Sequence, residues 1–309
     1  QRFRLEQVDP DEEPTPASFA LYPYLIANSG TIMFAKGGSG KSYLAMVMGI
    51  CIATGNDAWW DIEQQPVLYI NLERSPRSIA LRDHGARKAL HVMGPSGISY
   101  LHARGRGLRS IAKSALGFAE QHDHRCTVIM DSVSRTQLGT LNADETANEF
   151  IDTMNSLGCT WLGIGHTARG ADDHIYGATH FQYGADVEVK MLSERQESLL
   201  GINLTITKAN DIALPKPSYF AFEFGESGLQ KFRTANASEF PELAGSIASA
   251  IDRAFDFITE QPESKTNTQA LARGLSVSEA RANIILQNRR FVKLPREGRL
   301  QMYGLRAFD

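Results

Sequence analysis

The sequence predicts an α/β fold, a mostly parallel sheet flanked by helices, followed by a small C-terminal winged-helix (helix-turn-helix) domain. Three observations carry this. Four short, nearly continuous apolar runs are separated by helix-length stretches, the mark of parallel strands buried on both faces. A glycine-rich loop, Ala35-Lys36-Gly37-Gly38-Ser39-Gly40-Lys41-Ser42, stands between the first run and a long apolar segment, Tyr43 to Thr54. Charge also changes sign along the chain. From Lys265 onward nine Lys/Arg face three acids, a balance of +6, which leaves −9 on residues 1–264 of a chain of net charge −3.

Taken in order, residues 1–21 are acidic and proline-bearing and read as an arm or linker. Residues 22–233 form the α/β core. Its strand candidates are Thr31–Ala35, Val67–Leu72, Cys126–Asp131 and Trp161–Gly165, expected parallel, then Asp186–Leu192, Ile202–Lys208 and Tyr219–Phe224, expected as an antiparallel extension. Small and polar residues make 234–250 a linker. In 251–309, Ile251, Phe255 and Ile258 have helical spacing, and Ser276 with Glu279 forms a capping box for a further helix. Ala280, Ile284 and Ile285 are expected as that helix's buried stripe. Phe291–Leu305 reads as a hairpin turning at Pro295-Arg296-Glu297-Gly298, a wing beside the helix-turn-helix.

Composition narrows the class. At 309 residues, 42% hydrophobic and 22% charged, the chain is that of a globular protein rather than a disordered one. The longest apolar run, Leu44 to Ala53, is too short to cross a bilayer, so no membrane partner is expected. Cys51, Cys126 and Cys159 sit singly in apolar runs, without metal or redox spacing, which suits core residues in a reducing, cytoplasmic compartment. The chain opens on Gln1 rather than Met, and a continuation upstream is an expectation.

The glycine-rich loop is where chemistry is expected. A loop between a strand and a helix lets successive backbone N–H groups and the helix N-terminus point at an anion. Gly37, Gly38, Ser39, Gly40, Lys41, Ser42 and Tyr43 are therefore the expected nucleotide-binding residues. Lys41 reaches the β/γ-phosphates of ATP, and Ser42 holds Mg²⁺. Asp131 ends an apolar run and is expected to orient the same Mg²⁺. Glu73 ends Val67-Leu68-Tyr69-Ile70-Asn71-Leu72 and is expected as general base for water, with a salt bridge to Arg74 or Arg77 as its alternative. His166 ends Leu162-Gly163-Ile164-Gly165 and is expected to sense the γ-phosphate.

The order of these features resembles the RecA-like superfamily: phosphate loop, Glu after the second strand, Asp after the third, polar residue after the fourth. Three segments are similar to the AAA_25/RepA-type hexameric replicative helicases: Tyr69-Ile70-Asn71-Leu72-Glu73, Asp144-Glu145-Thr146-Ala147-Asn148-Glu149-Phe150, and Gly165-His166-Thr167-Ala168-Arg169 with Gly177-Ala178-Thr179 and Gly184-Ala185-Asp186. The resemblance implies a hexameric ring, ATP at subunit interfaces and single-stranded DNA in the central channel. It implies that Lys208, in Thr205-Ile206-Thr207-Lys208-Ala209-Asn210, acts on the neighbour's nucleotide; Asn210 stands where relatives carry Arg, with Arg195 or Arg233 as replacements. It also places DNA loops at Gln137–Asn142 and at Arg169–Tyr183. Arg169, Tyr176 and His180 in the second loop mix basic and aromatic groups suited to a single strand. In the end domain, Arg281, Arg289 and Arg290 are candidates for duplex phosphates, with docking of a replication protein as the alternative.

Overall fold

The computed structural model describes residues 16–135, 144–167, 180–226, 228–240, 243, 250–275, 277, 279–288, 290–298 and 300–306. The chain divides into two compact units, Gln1–Asn236 and Ala237–Asp309.

The first unit is α/β, a large mixed sheet flanked by helices, and fits the RecA-like fold. A short hairpin, β1 (Phe19–Leu21) and β2 (Leu25–Ile26), leads into β3 (Gly30–Ala35) and helix α1 (Lys41–Thr54). Then follow β4 (Val67–Asn71), α2 (Pro76–Ala89), β5 (Ile98–His102), α3 (Leu108–Gln121), β6 (Thr127–Asp131), α4 (Asp144–Asn155), β7 (Thr160–His166) and α5 (His180–Gly184). The unit closes with β8 (Val187–Gln196), β9 (Leu199–Ala209), β10 (Ser218–Gly225) and β11 (Gly228–Thr234). Among the described residues the main sheet has nine strands in the order β11-β10-β9-β8-β3-β7-β6-β4-β5.

Each parallel strand is apolar on both faces because both faces are covered. Met33, Leu162 and Ile164 pack with α1 and α2 residues such as Val47, Ile50 and Ile79. Ile32, Phe34, Val128 and Met130 pack on the other side with Ile111 and Ala115 of α3 and Phe150 of α4. Burial on nearly all sides explains why α1 reads as an unbroken apolar run rather than an amphipathic one. All three cysteines are buried, and no described helix is long and apolar enough to cross a membrane.

Several expectations shift. The run Asp186–Leu192 does not belong wholly to an antiparallel extension: β8 pairs parallel with β3 and antiparallel with β9, so the sheet changes direction at β8's far side. Strands β5 and β11 lack a continuous apolar run because they lie at the two sheet edges and are half exposed. Phe19–Leu21, assigned to the arm, forms β1 instead, and Ala20 and Leu21 are wholly buried.

The second unit contains α6 (Ala250–Glu260), β12 (Lys265–Asn267), α7 (Thr268–Gly274), α8 (Glu279–Leu286), β13 (Phe291–Glu297) and β14 (Leu300–Leu305). The Asn267 side chain accepts the Ala270 N–H at the start of α7. β14 pairs antiparallel with both β12 and β13, and Gly298 takes the left-handed φ of 61° that the hairpin turn needs. The buried stripe of α8 is Ala282, Ile285 and Leu286; Ile284, expected inside, is 66% exposed. Phe240, inside the stretch read as linker, is buried. Ser276 of the capping box lies outside the described residues.

Candidate active site

The phosphate-type loop joins β3 to α1. Gly38 and Gly40 have φ of 79° and 93°, a region that penalises any side chain with a Cβ. A Cβ on Gly40 would also stand 2.9 Å from Leu200 Cδ2, whereas Gly37 and Gly38 face open space. No side chain caps the N-terminus of α1, so its first N–H groups remain available to an anion. Ser39 Oγ donates to Lys36 O at 2.7 Å and tightens the turn from within.

Lys41 lies beneath this loop, 5% exposed. Its Nζ donates to the carbonyls of Ala35 and Lys36, each at 2.7 Å, and to His166 Nδ1 at 3.3 Å. Burial pushes its pKa down to about 8, against the pull of Asp131 and Glu73. Accepting at Nδ1 assigns the His166 proton to Nε2, which lies 3.6 Å from Glu73 Oε1.

The parallel register brings the acids to the same edge. Ala35 is level with His166, and Asn71 with Asp131. Asp131 is 2% exposed; burial raises its pKa, opposed by the Tyr69 and Ser42 hydroxyls. Tyr69 Oη donates to Asp131 Oδ2 at 2.7 Å. Glu73 lies two residues past β4, where Ser132 Oγ donates to its Oε1 at 2.5 Å. His166 beside it, together with Ser132, holds the Glu73 carboxyl down to about 2 although burial works the other way. The Asp131-Ser132 peptide is cis. Neither Arg74 nor Arg77 forms the salt bridge considered as the alternative for Glu73; the Arg74 backbone is instead clamped by Asn71, which accepts its N–H at 3.0 Å and donates to its carbonyl at 2.7 Å.

These groups open onto one cleft of about 230 Å³. Gly38, Ser39, Gly40, Lys41, Ser42, Tyr43, Glu73, Asp131 and His166 all line it, as do Arg74, Arg82 and Arg195, which the sequence reading did not assign to this chain's own site. Gly37 is exposed on the loop beside the cleft. Tyr69 and Asn71 were also missed. Both lie in the run quoted for its resemblance and for the Glu73 that ends it, with no role given to either, and a hydroxyl or amide within a buried strand is the signal that marks them.

Lys208 is not in this site. It pairs across from Glu188, itself level with Ile32 in the middle of β3, whereas the site lies past Ala35 at that strand's end. Its Nζ donates to Ala185 O at 2.7 Å and Tyr183 O at 3.2 Å. Arg233, offered as a replacement finger, contacts Glu223 at 3.1 Å. Arg169, Tyr176, Arg289 and the stretch Gln137–Asn142 lie outside the described residues, as do the side chains of His180 and Arg281. Arg290 lies over the Phe255 ring, 4.9 Å from its centroid.

A family model for the AAA domain (AAA_25) matches residues 1–172, the stretch that carries the loop, Glu73, Asp131 and His166. The chain belongs to this AAA-domain family. Membership identifies a P-loop ATPase and implies a bound nucleotide, usually with Mg²⁺. No curated protein matches the sequence.

The residues of this AAA domain fit those groups. Among the described residues no cluster of three or more His, Cys, Asp or Glu could hold a metal by itself. Mg²⁺ bound with a nucleotide takes one or two protein oxygens, the rest coming from phosphates and water. Ser42 and Asp131 provide such oxygens. The open face above Gly37 and Gly38, the uncapped helix start and the buried Lys41 fit a polyphosphate.

Proposed function

We propose that this chain is an ATP-hydrolysing motor on single-stranded DNA, a ring-forming, hexameric replicative helicase of a plasmid, phage or mobile element. The observation that carries the reading is His166, which touches both the phosphate-binding Lys41 and the water-activating Glu73 and stands just before the segment expected to meet DNA.

Bound Mg-ATP supplies the leaving group and a metal that neutralises charge on the transferring phosphoryl. The chain's own groups do the rest. The loop N–H groups and Lys41 hold the phosphates, and Ser42 and Asp131 hold the metal's position. Glu73, ionised and fixed by Ser132, orients water for attack. The Nε2 proton of His166 faces Glu73 and its Nδ1 faces Lys41, so a change at either is felt at the start of residues 167–179. Lys208 is proposed to act toward a neighbouring subunit. The second unit, with three α-helices and a three-stranded sheet among its described residues, is proposed as a winged helix carrying Arg281, Arg289 and Arg290 toward DNA phosphates or a replication protein.

ATPase rates with and without single-stranded DNA, alongside particle mass with Mg-ATP, test the reading. Ring-sized particles with DNA-stimulated hydrolysis and unwinding of a forked duplex are expected. Hydrolysis indifferent to DNA would leave an ATP-switched DNA-binding regulator, or a KaiC-like or recombinase-like ATPase, in its place.

A further inference from the structure

A second cleft, of about 600 Å³, lies at the other end of β10 from the phosphate cleft. Phe224, near the end of that strand, lines the first; Tyr219 and Phe220, at its start, line the second. All of its walls belong to the first unit. Tyr22, in the turn between β1 and β2, Trp59 and Trp60, in the loop after α1, and Tyr219 give it aromatic surface. Behind them the rings are already packed. Trp59 meets Phe232 at 5.4 Å, Trp60 meets Phe220 at 5.2 Å, and Phe220 stacks on Phe232 at 5.3 Å between centroids. The Tyr22 N–H donates to Asp61 O at 2.9 Å, and Leu21 bridges to Ile62, so turn and loop are tied together. A frame built in advance leaves little ordering to be done on binding.

Three features of this cleft have no role in the fold. Tyr22 is 47% exposed despite its size. Asp57 and Asp61 are exposed at the cleft, and among the described residues neither side chain forms an ion pair or a hydrogen bond. Trp60 lines the cleft at only 6% exposure, yet its Nε1 hydrogen is buried without an acceptor. A buried donor left unmade is costly and asks for a partner. Each feature calls for a different group: ring faces for apolar side chains, carboxylates for a cation, the indole N–H for a carbonyl. A peptide carries all three within a few residues, and its extended, proline-bearing form suits aromatic-lined grooves at low entropic cost. Nucleic acid also stacks on aromatic rings, but its phosphates would meet the two carboxylates.

We propose that this cleft docks an extended segment of another protein, one that bears prolines beside an Arg or Lys. The prolines lie against Tyr22, Trp59 and Tyr219, and the cation reaches Asp57 and Asp61. A carbonyl of the segment takes the Trp60 N–H as the partly exposed Tyr22 and Trp59 give way. Because the phosphate cleft lies at the far end of β10, docking leaves the nucleotide site open.

Pentapeptides of the form acetyl-Pro-Pro-X-Pro-Pro-amide, with X as Arg, Lys, Leu or Glu, are the probes, titrated into the full chain by calorimetry and tryptophan emission. Two of the three tryptophans line the cleft, and Trp161 is buried in the other core of the unit, so emission reports on the cleft. Saturable binding of the Arg and Lys peptides is expected, about tenfold weaker with Leu, undetectable with Glu, and reduced by salt. Asp57→Asn with Asp61→Asn is expected to weaken the Arg peptide by about three- to tenfold. Trp60→Phe, which keeps a ring without the N–H, is expected to weaken it by about tenfold. Mg-ADP affinity should be unchanged by peptide. No saturable response to the Arg or Lys peptide, or equal binding of the Glu peptide, overturns the proposal. So does full affinity in the Asn double variant, and so does argininamide binding as tightly as the pentapeptide, which would make this a small-cation site. A change of particle mass in the double variant without peptide would assign the face to a second copy and overturn it too. Failure of wild type to bind Mg-nucleotide would remove the phosphate-loop reading and leave this inference standing.

Discussion

Lys41 has an ammonium group buried beneath its loop, with a pKa of about 8. A phosphate anion favours the charged form, so binding of nucleotide raises that pKa and takes up a proton wherever the free protein has lost it. Affinity for Mg-ATP is therefore expected to be flat below pH 8 and to fall about tenfold per unit above it. Calorimetry at pH 7 and pH 9, in buffers of different ionisation enthalpy, should show proton uptake at the higher pH alone. Glu73 behaves in the opposite sense. Held down to about 2 by His166 and Ser132, it is ionised throughout the neutral range, and its contribution to stability is complete above the usual glutamate value and lost as pH falls toward 2. So low a pKa makes it a weak proton acceptor, better suited to orienting water than to removing its proton outright. Glu73→Gln is expected to keep Mg-ATP binding and lose about 10²–10⁴-fold in turnover. Normal hydrolysis by that variant would dismiss Glu73 from the site.

Among the elements, the loop between β3 and α1 depends on a strand distant in sequence. Gly40 is required twice, by its φ of 93° and by Leu200 Cδ2, which would lie 2.9 Å from an added Cβ. Leu200 belongs to β9, whose hairpin with β8 runs past the end of β3 and walls the cleft. Gly40→Ala is expected to destabilise the fold by about 1–2 kcal/mol from the left-handed backbone alone and to abolish nucleotide binding. A thermal melt and a titration would check the two effects separately. The motif itself was legible in the sequence, because glycines between an apolar run and a helix have few other uses. Arg195 was expected only as a finger toward a neighbour's nucleotide, and Phe224 was not expected in a site at all, because nothing in their neighbours announces that β8 and β10 extend over a loop some 150 residues earlier in the chain.

At the scale of the whole molecule, the first unit has cores on both faces of its sheet and the second has its own, formed by Ala254, Ile258, Leu271, Ile285 and Phe291 among others. A chain ending at Asn236 is expected to fold and bind Mg-nucleotide as the full chain does, with its own cooperative melt in calorimetry. Loss of nucleotide binding on that truncation would show that the second unit contributes to the site. The charge difference between the basic end and the acidic remainder belongs to this scale too, and it concerns partners rather than stability.

Local order along the chain determined the α/β class, the strand that precedes the loop, and the positions of Lys41 and Ser42, which close a glycine-rich loop, and of Glu73, Asp131 and His166, which end apolar runs. What needed the folded molecule was direction and company: that β8 lies parallel to β3, that Tyr69 holds Asp131 and Ser132 holds Glu73, that Lys208 bonds carbonyls away from the cleft, and that three arginines gather at the cleft. Periodicity and propensity act between near neighbours in sequence. Strand register, which joins residues 60 to 160 positions apart, decides which side chains share a site.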